Sequence, residues 1–169
     1  DDAISGNNED SLIYDPRRKL VYIYEKGDVK YQDKNLKADF MNIDMESKEI
    51  FAHGRMDTVA GKPTRPEFLD GSSSYEMDTI TYNIETEKAR IKEVSTQDGE
   101  GYLLGARVKK MKDNTVNIAG GKFTTCDADH PHFYLAMTKA KMIPGKKVIV
   151  GPSYLVMEDV PIYPLMLPF

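Results

Sequence analysis

The stretch GDVKYQDKNLKADFMNIDMESKEIFAHG, Gly27 to Gly54, decides how the rest of the chain is read. Val29 and Tyr31 alternate with Asp28, Lys30 and Gln32, and Leu36, Ala38 and Phe40 alternate with Lys37 and Asp39. A period of two marks a half-buried strand, because successive side chains leave a pleated chain on opposite faces. At Phe40 and Met41 the phase inverts, and Met41, Ile43 and Met45 take over the apolar positions. Such an inversion predicts a bulge or a bend. The polar run DMESKEI, Asp44 to Ile50, then turns the chain into a further strand.

The same rhythm extends in both directions. Upstream, Leu20-Val21-Tyr22-Ile23-Tyr24 is rich in β-branched and aromatic residues. Downstream, Ile80, Tyr82 and Ile84 alternate, then Ala89 and Ile91. Tyr102, Leu104, Ala106 and Val108 follow, then Val116 and Ile118, Leu135 and Met137, Ala140 and Met142, and Val148 and Val150. The turns YDPRRK, NIETEKA, MKDNTV and IPGKKV punctuate these runs. Strand, polar turn and strand recur as a degenerate repeat. This predicts an all-β fold of stacked rungs: a solenoid, a β-helix-like body or an elongated jelly roll. Thr58 to Ser74, rich in Pro, Gly and Ser, reads as a long surface loop. Residues 1–10 read as a flexible N-terminal segment, 11–159 as one domain, and 160–169 as a Pro-rich connection.

Composition narrows the function. The 169 residues suit one domain with a real core, and a net charge of -4 without a long basic cluster gives nucleic-acid binding little support. No apolar run approaches the length of a membrane-spanning helix. The acidic start DDAISGNNED has none of the features of a signal peptide. Phosphate-binding glycine loops, dinucleotide fingerprints, zinc-protease helices and nucleophile elbows do not occur, so neither enzymatic activity nor a cofactor is expected.

GGKFTTCDADHPHFYL, Gly120 to Leu135, holds the only cysteine and two of the three histidines. Cys126, Asp127, Asp129, His130 and His132 offer ligand atoms, but zinc sites combine two separated ligand pairs, and no second pair is present. No metal site is therefore expected. Adjacent carboxylates would raise a thiol pKa, which argues against a nucleophile. A buried inert cysteine and a disulfide to a cysteine in another segment both remain open.

Gly27 to Gly54 also resembles the repeat of the OstA-like domains of lipopolysaccharide transport: a strand with Val and Tyr, then Leu-x-Ala-Asp, an aliphatic strand, a polar turn, and a strand ending Ala-x-Gly. The Thr-x-Cys of the 120–135 segment and VPIYPLMLPF, Val160 to Phe169, resemble the branch of that family whose domain leads into a transmembrane barrel. The resemblance implies a twisted β-jelly roll, open along one side and at both ends, on the periplasmic face of the bacterial outer membrane. It implies lipopolysaccharide as ligand and no enzymatic chemistry. An LptA-like bridge protein would pair with an edge strand near Leu12–Tyr24, and the chain's own downstream β-barrel and a plug lipoprotein would be partners. It also implies that Cys126 pairs with a downstream cysteine.

Acyl chains would then need an uninterrupted apolar lining. The alternation assigns it to Val21, Ile23, Val29, Tyr31, Phe40, Ile43, Ile50, Ile80, Tyr82, Ile91, Leu104, Val108, Val116, Ile118, Phe123, Leu135, Met137, Met142, Val148 and Val150. A ligand-free rigid scaffold and a polysaccharide-processing β-helix enzyme are the alternative readings of the same pattern.

Overall fold

Alternating apolar residues between polar turns produce strands throughout. The computed structural model describes residues 5–7, 10–59, 61–71, 73–98, 101–128, 130–143 and 146–167, and among them there is no helix. The chain divides into two compact units, Asp1–Ile91 and Lys92–Phe169, where a single domain over 11–159 was expected.

The first unit contains β1 (Ser5–Asn7), β2 (Ser11–Asp15), β3 (Leu20–Tyr31), β4 (Lys34–Asp44), β5 (Glu49–His53), β6 (Met56–Asp57), β7 (Lys62–Pro63), β8 (Glu67–Asp70), β9 (Ser73–Glu76) and β10 (Thr79–Asn83). β2 pairs with β3, β3 with β4, β4 with β5 and β5 with β10, each antiparallel. The turn between β2 and β3 is set by Asp15, whose carboxylate accepts from the amides of Arg17 and Arg18. Asp44 does the same for Glu46 and Ser47 between β4 and β5.

The irregularity expected at Phe40–Met41 takes the form of a bulge in the facing strand. Tyr24 pairs with Phe40 and Gly27 with Ala38, so Glu25 and Lys26, both at positive φ (57° and 47°), oppose Asp39 alone. The bulge lets β4 serve two partners. Its second half pairs with β5, and its first half pairs with β8, Leu36 facing Phe68.

That pairing corrects the reading of 58–74 as a surface loop. The segment contains β7 and β8, with β9 starting at its end; Pro66 is fully buried and Phe68 is 2% exposed. The N-terminal segment is likewise not wholly irregular: Ser5, Gly6 and Asn7 pair with Lys30, Val29 and Asp28.

β11 (Lys88–Asp98) carries the chain into the second unit. This unit is a meander of β12 (Gly101–Lys110), β13 (Val116–Thr124), β14 (Phe133–Ile143), β15 (Lys147–Val150), β16 (Ser153–Met157) and β17 (Val160–Leu167). β15 and β16 lie along β14 in one register, interrupted at Gly151–Pro152. The Pro-rich tail is therefore a strand over most of its length, Val160 opposite Met157 and Pro161 opposite Val156.

Strict alternation fails at one level of this meander. Gly105 and Val108 are both buried, as are Ile118 and Gly121, and Met137 and Ala140. Gly105 is paired with Gly121 and Gly121 with Met137, while Val108 is paired with Ile118 and Ile118 with Ala140. Inward positions three apart, aligned across neighbouring strands, mean that the strands bend together and that both halves face one interior. A Cβ on Gly105 would sit 2.6 Å from Val108 Cγ2, so glycine is what allows the two halves to approach.

Candidate functional site

Register assembles the apolar face of the first unit. Leu12, Ile23, Met41, Ala52 and Ile80 lie side by side across β2, β3, β4, β5 and β10. The next row is Tyr14, Val21, Ile43, Ile50 and Tyr82. Met41, Ala52 and Ile80 are wholly shielded from solvent, and the Phe68 ring closes on Tyr82 at 5.6 Å.

Six of the expected lining residues, Val21, Ile23, Ile43, Ile50, Ile80 and Tyr82, thus share one face. Val29 joins Leu36 and Phe68 on the other side of the bulge. Ile91 is buried, and Tyr31 is half-buried opposite Lys34. Phe40 is not part of this set. It neighbours the inward Met41 and stands on the opposite face, against Tyr24 and His53. Met41, Ala52, Phe68 and Met77 complete the interior outside the expected lining set; Met41 belongs to the alternation after the phase change but was not assigned to the lining, and Ala52 is small.

In the second unit Val108, Ile118, Ala140 and Val150 form one row, and Lys110, Val116, Met142 and Val148 the next. Lys110 is buried, and its ammonium donates to Asn114 Oδ1 at 2.6 Å, at the end of the strand. Val148, at the edge, is 54% exposed. Met137 is buried on the far side of the bend. Leu104 lies beside exposed Lys122, and Leu135 pairs with Phe123. Phe123 is 40% exposed, its ring against Gly101. Leu104 has the phase opposite to inward Gly105 and so leaves the interior row, whereas Phe123 and Leu135 share the phase of Gly121 and Met137 and lie on the inward face before the bend.

The cysteine segment has its own local order. Thr124 is buried; its hydroxyl donates to the Phe133 carbonyl at 2.6 Å and accepts from the Cys126 amide at 3.0 Å. This explains the Thr-x-Cys spacing, since one hydroxyl ties the strand end to the returning strand. Cys126 Sγ lies 3.7 Å from His132 Nδ1. The thiol pKa is lowered, first by the amides of Ala128 and His132 and then by the His132 ring. The neighbouring-carboxylate argument predicted the opposite direction, and peptide dipoles aimed at the sulfur overturn it. His132 is raised in turn by Cys126 and by Glu158. His130 pairs instead with Asp159 at 3.5 Å. Asp129 lies outside the described residues, among which no three metal-binding side chains converge.

Antiparallel strands bent around an apolar interior define a β-jelly roll of the LptA type. One solved structure makes the class concrete: LptH, the LptA-homologous periplasmic component of the lipopolysaccharide transport device of Pseudomonas aeruginosa. It superposes with a TM-score of 0.54 at 11% identity, over 88% of this chain and 94% of that one. At this identity the likeness is one of fold. No protein-family profile and no curated protein sequence matches the chain.

Proposed function

We propose that the chain is a non-enzymatic carrier of lipopolysaccharide that passes the acyl chains along the apolar interior of its strands. The observation that carries this reading is the alignment of aliphatic side chains into rows on one face of each meander, in a fold shared with a lipopolysaccharide transport component. Each methylene removed from water is worth about 0.8 kcal/mol. A lining without polar hooks holds an alkyl chain yet lets it slide, while phosphorylated sugars stay at the water-facing side.

The Thr-x-Cys and Pro-rich segments favour the periplasmic N-terminal domain of the outer-membrane protein LptD. In that reading β2 receives a strand from an LptA-like bridge, and the lipid leaves toward a downstream barrel with its plug lipoprotein. Cys126, with its depressed pKa, is suited as thiolate to attack a mixed disulfide carried by a downstream cysteine in an oxidising compartment, forming the Cys126 bond and expelling the other thiol of that mixed disulfide.

A rigid scaffold without ligand is the second reading, favoured by the complete shielding of Met41, Ala52, Met77 and Ile80. Alkyl chains pass there only if the packed layers part. A photo-crosslinking residue at Ile80 or Ile118, compared with one at exposed Lys92, separates the two in the presence of lipopolysaccharide. The carrier gives lipid adducts from the two interior sites and not from Lys92. Equal labelling, or none, leaves the scaffold.

A further inference from the structure

The outward face of the first unit carries a feature that acyl-chain transport does not use. Tyr22, Tyr24, Phe40, Phe51 and His53 form a continuous set of rings there. Phe40 meets Tyr24 edge-on at 5.3 Å and lies 4.7 Å from His53 with the planes 30° apart, and Phe51 is 5.8 Å from His53. None is buried, and Phe51 is 38% exposed.

Beside the rings opens a cleft of about 310 Å³, near the lower bound for a small-molecule site. Its charged lining consists of Lys26, Lys37 and Arg65 against Asp28, Asp39 and Glu67. Platform and cleft adjoin. Asp39 immediately precedes Phe40, and Glu25 immediately follows Tyr24. Arg55, two residues beyond His53, bonds Glu25 through Nη1 at 3.2 Å. The Arg55 amide donates to Thr64 Oγ1 at 2.8 Å, and the Thr64 hydroxyl donates to Asp39.

We propose that this face binds a saccharide, one pyranose ring stacking on Phe40 and His53 while hydroxyls of the same or the next ring enter the cleft. An aromatic face attracts the weakly positive C–H face of a sugar ring. Hydroxyls donate to carboxylates and accept from ammonium and guanidinium groups, so a polyol satisfies a lining that holds both kinds. Three cationic and three anionic side chains cancel, which does not suit a phosphate. A divalent cation is no better served, because Asp39 is engaged by Thr64 and Glu67 by Lys37 at 3.7 Å. An apolar peptide would cover the rings but leave the charged cleft unused. The inference is independent of acyl-chain transport: the platform lies on the face opposite Met41 and Ile80.

The test uses the 169-residue chain. Saturation-transfer NMR and amide-shift mapping are run with maltotriose, with the saccharide released from lipopolysaccharide by deacylation, and with inorganic phosphate. Saturable binding of either saccharide, with shifts centred on Asp39, Phe40 and His53, is the expected result, and the one that binds identifies the source. Phe40→Leu should weaken it about tenfold, since an aromatic contact of this kind is worth up to roughly 1.5 kcal/mol. Lys37→Gln, at an exposed position where folding is not at stake, should also weaken it. Binding by neither saccharide, competition by phosphate, or affinity unchanged in both variants overturns the proposal. Crosslinking at Ile80 reads the acyl-chain proposal separately.

Discussion

Gly54 and Thr64 pack so closely that a Cβ on Gly54 would collide with the main-chain carbonyl oxygen of Thr64. The Thr64 amide donates to the Arg55 carbonyl at 2.8 Å, and its hydroxyl accepts from the Arg55 amide. The excursion that leaves β5 through β6 and β7 is thereby fastened back on itself and delivers Pro66 and Phe68 to the core. This is the physical content of the glycine that ends the Ala-x-Gly phrase. The collision in Gly54→Ala is with backbone, so it cannot be relieved by a rotamer change. We expect a loss of about 1–3 kcal/mol, read as a lower urea midpoint. An unchanged midpoint would mean that the excursion is not held there.

The fold class was legible because period two survives in most strands, and the bulge announced itself as a change of phase at Phe40–Met41. The candidate site was legible only in part, because an alternation carried past a bend assigns the wrong face. Leu104, in phase with Val108 but across the bend from it, was placed inside in this way. The residues that mark the bend, Gly105 and Gly121, have no side chain to enter an apolar pattern. Phe68 was hidden for a different reason. Its strand is four residues long, sits in a Pro- and Gly-rich segment, and pairs with the distant Leu36. Nothing local to the sequence signals a long-range partner of that kind.

Tyr82 carries a buried hydroxyl oxygen that lacks a hydrogen-bond partner among the described residues, and burial, followed by Glu87, pushes its pKa well above the ordinary phenol range. Leaving a polar group unpaired in the interior costs about 1–3 kcal/mol. Tyr82→Phe removes the oxygen and keeps the ring against Phe68, so stability should rise by about 1 kcal/mol. The alkaline limb checks the same point. A raised folded pKa disfavours ionisation in the folded state, so its contribution is intact below the unfolded value of about 10 and is lost as pH climbs beyond it. That part of the alkaline loss should be missing in Tyr82→Phe. A destabilised variant would show that the hydroxyl is satisfied.

Among the described residues β2 pairs only with β3, while β3 is flanked by β2 and β4, so the proposed strand addition falls to β2 rather than to the whole of Leu12–Tyr24. Leu12, Ile13 and Tyr14 are all more than half exposed, at 57%, 51% and 52%. Adjacent amides in a strand point to opposite edges. Of Leu12→Pro and Ile13→Pro, one therefore removes a bond to β3 and the other an outward donor. One variant should keep its thermal midpoint and lose binding to an LptA-like partner in a pull-down. If the stably folded variant binds as before, pairing does not occur at this edge.

Cys126 and His132 make the last prediction. The amides of Ala128 and His132 and the His132 ring favour thiolate, so alkylation by iodoacetamide should reach half its limiting rate below the ordinary thiol value of about 8.5. His132 is raised by the same contact and by Glu158, and its imidazolium persists to higher pH than a free imidazole. The thiol value moves down and the histidine value moves up, and above the latter the ring loses its charge. His132→Gln removes the ring charge but leaves the amides, so the alkylation midpoint should move up only part of the way toward that of a free thiol. A full return would assign the shift to the ring alone, and no movement would assign it to the backbone. Asp127→Asn should leave the midpoint in place, because it is the peptide dipoles, and not the adjacent carboxylate, that set the charge on this sulfur.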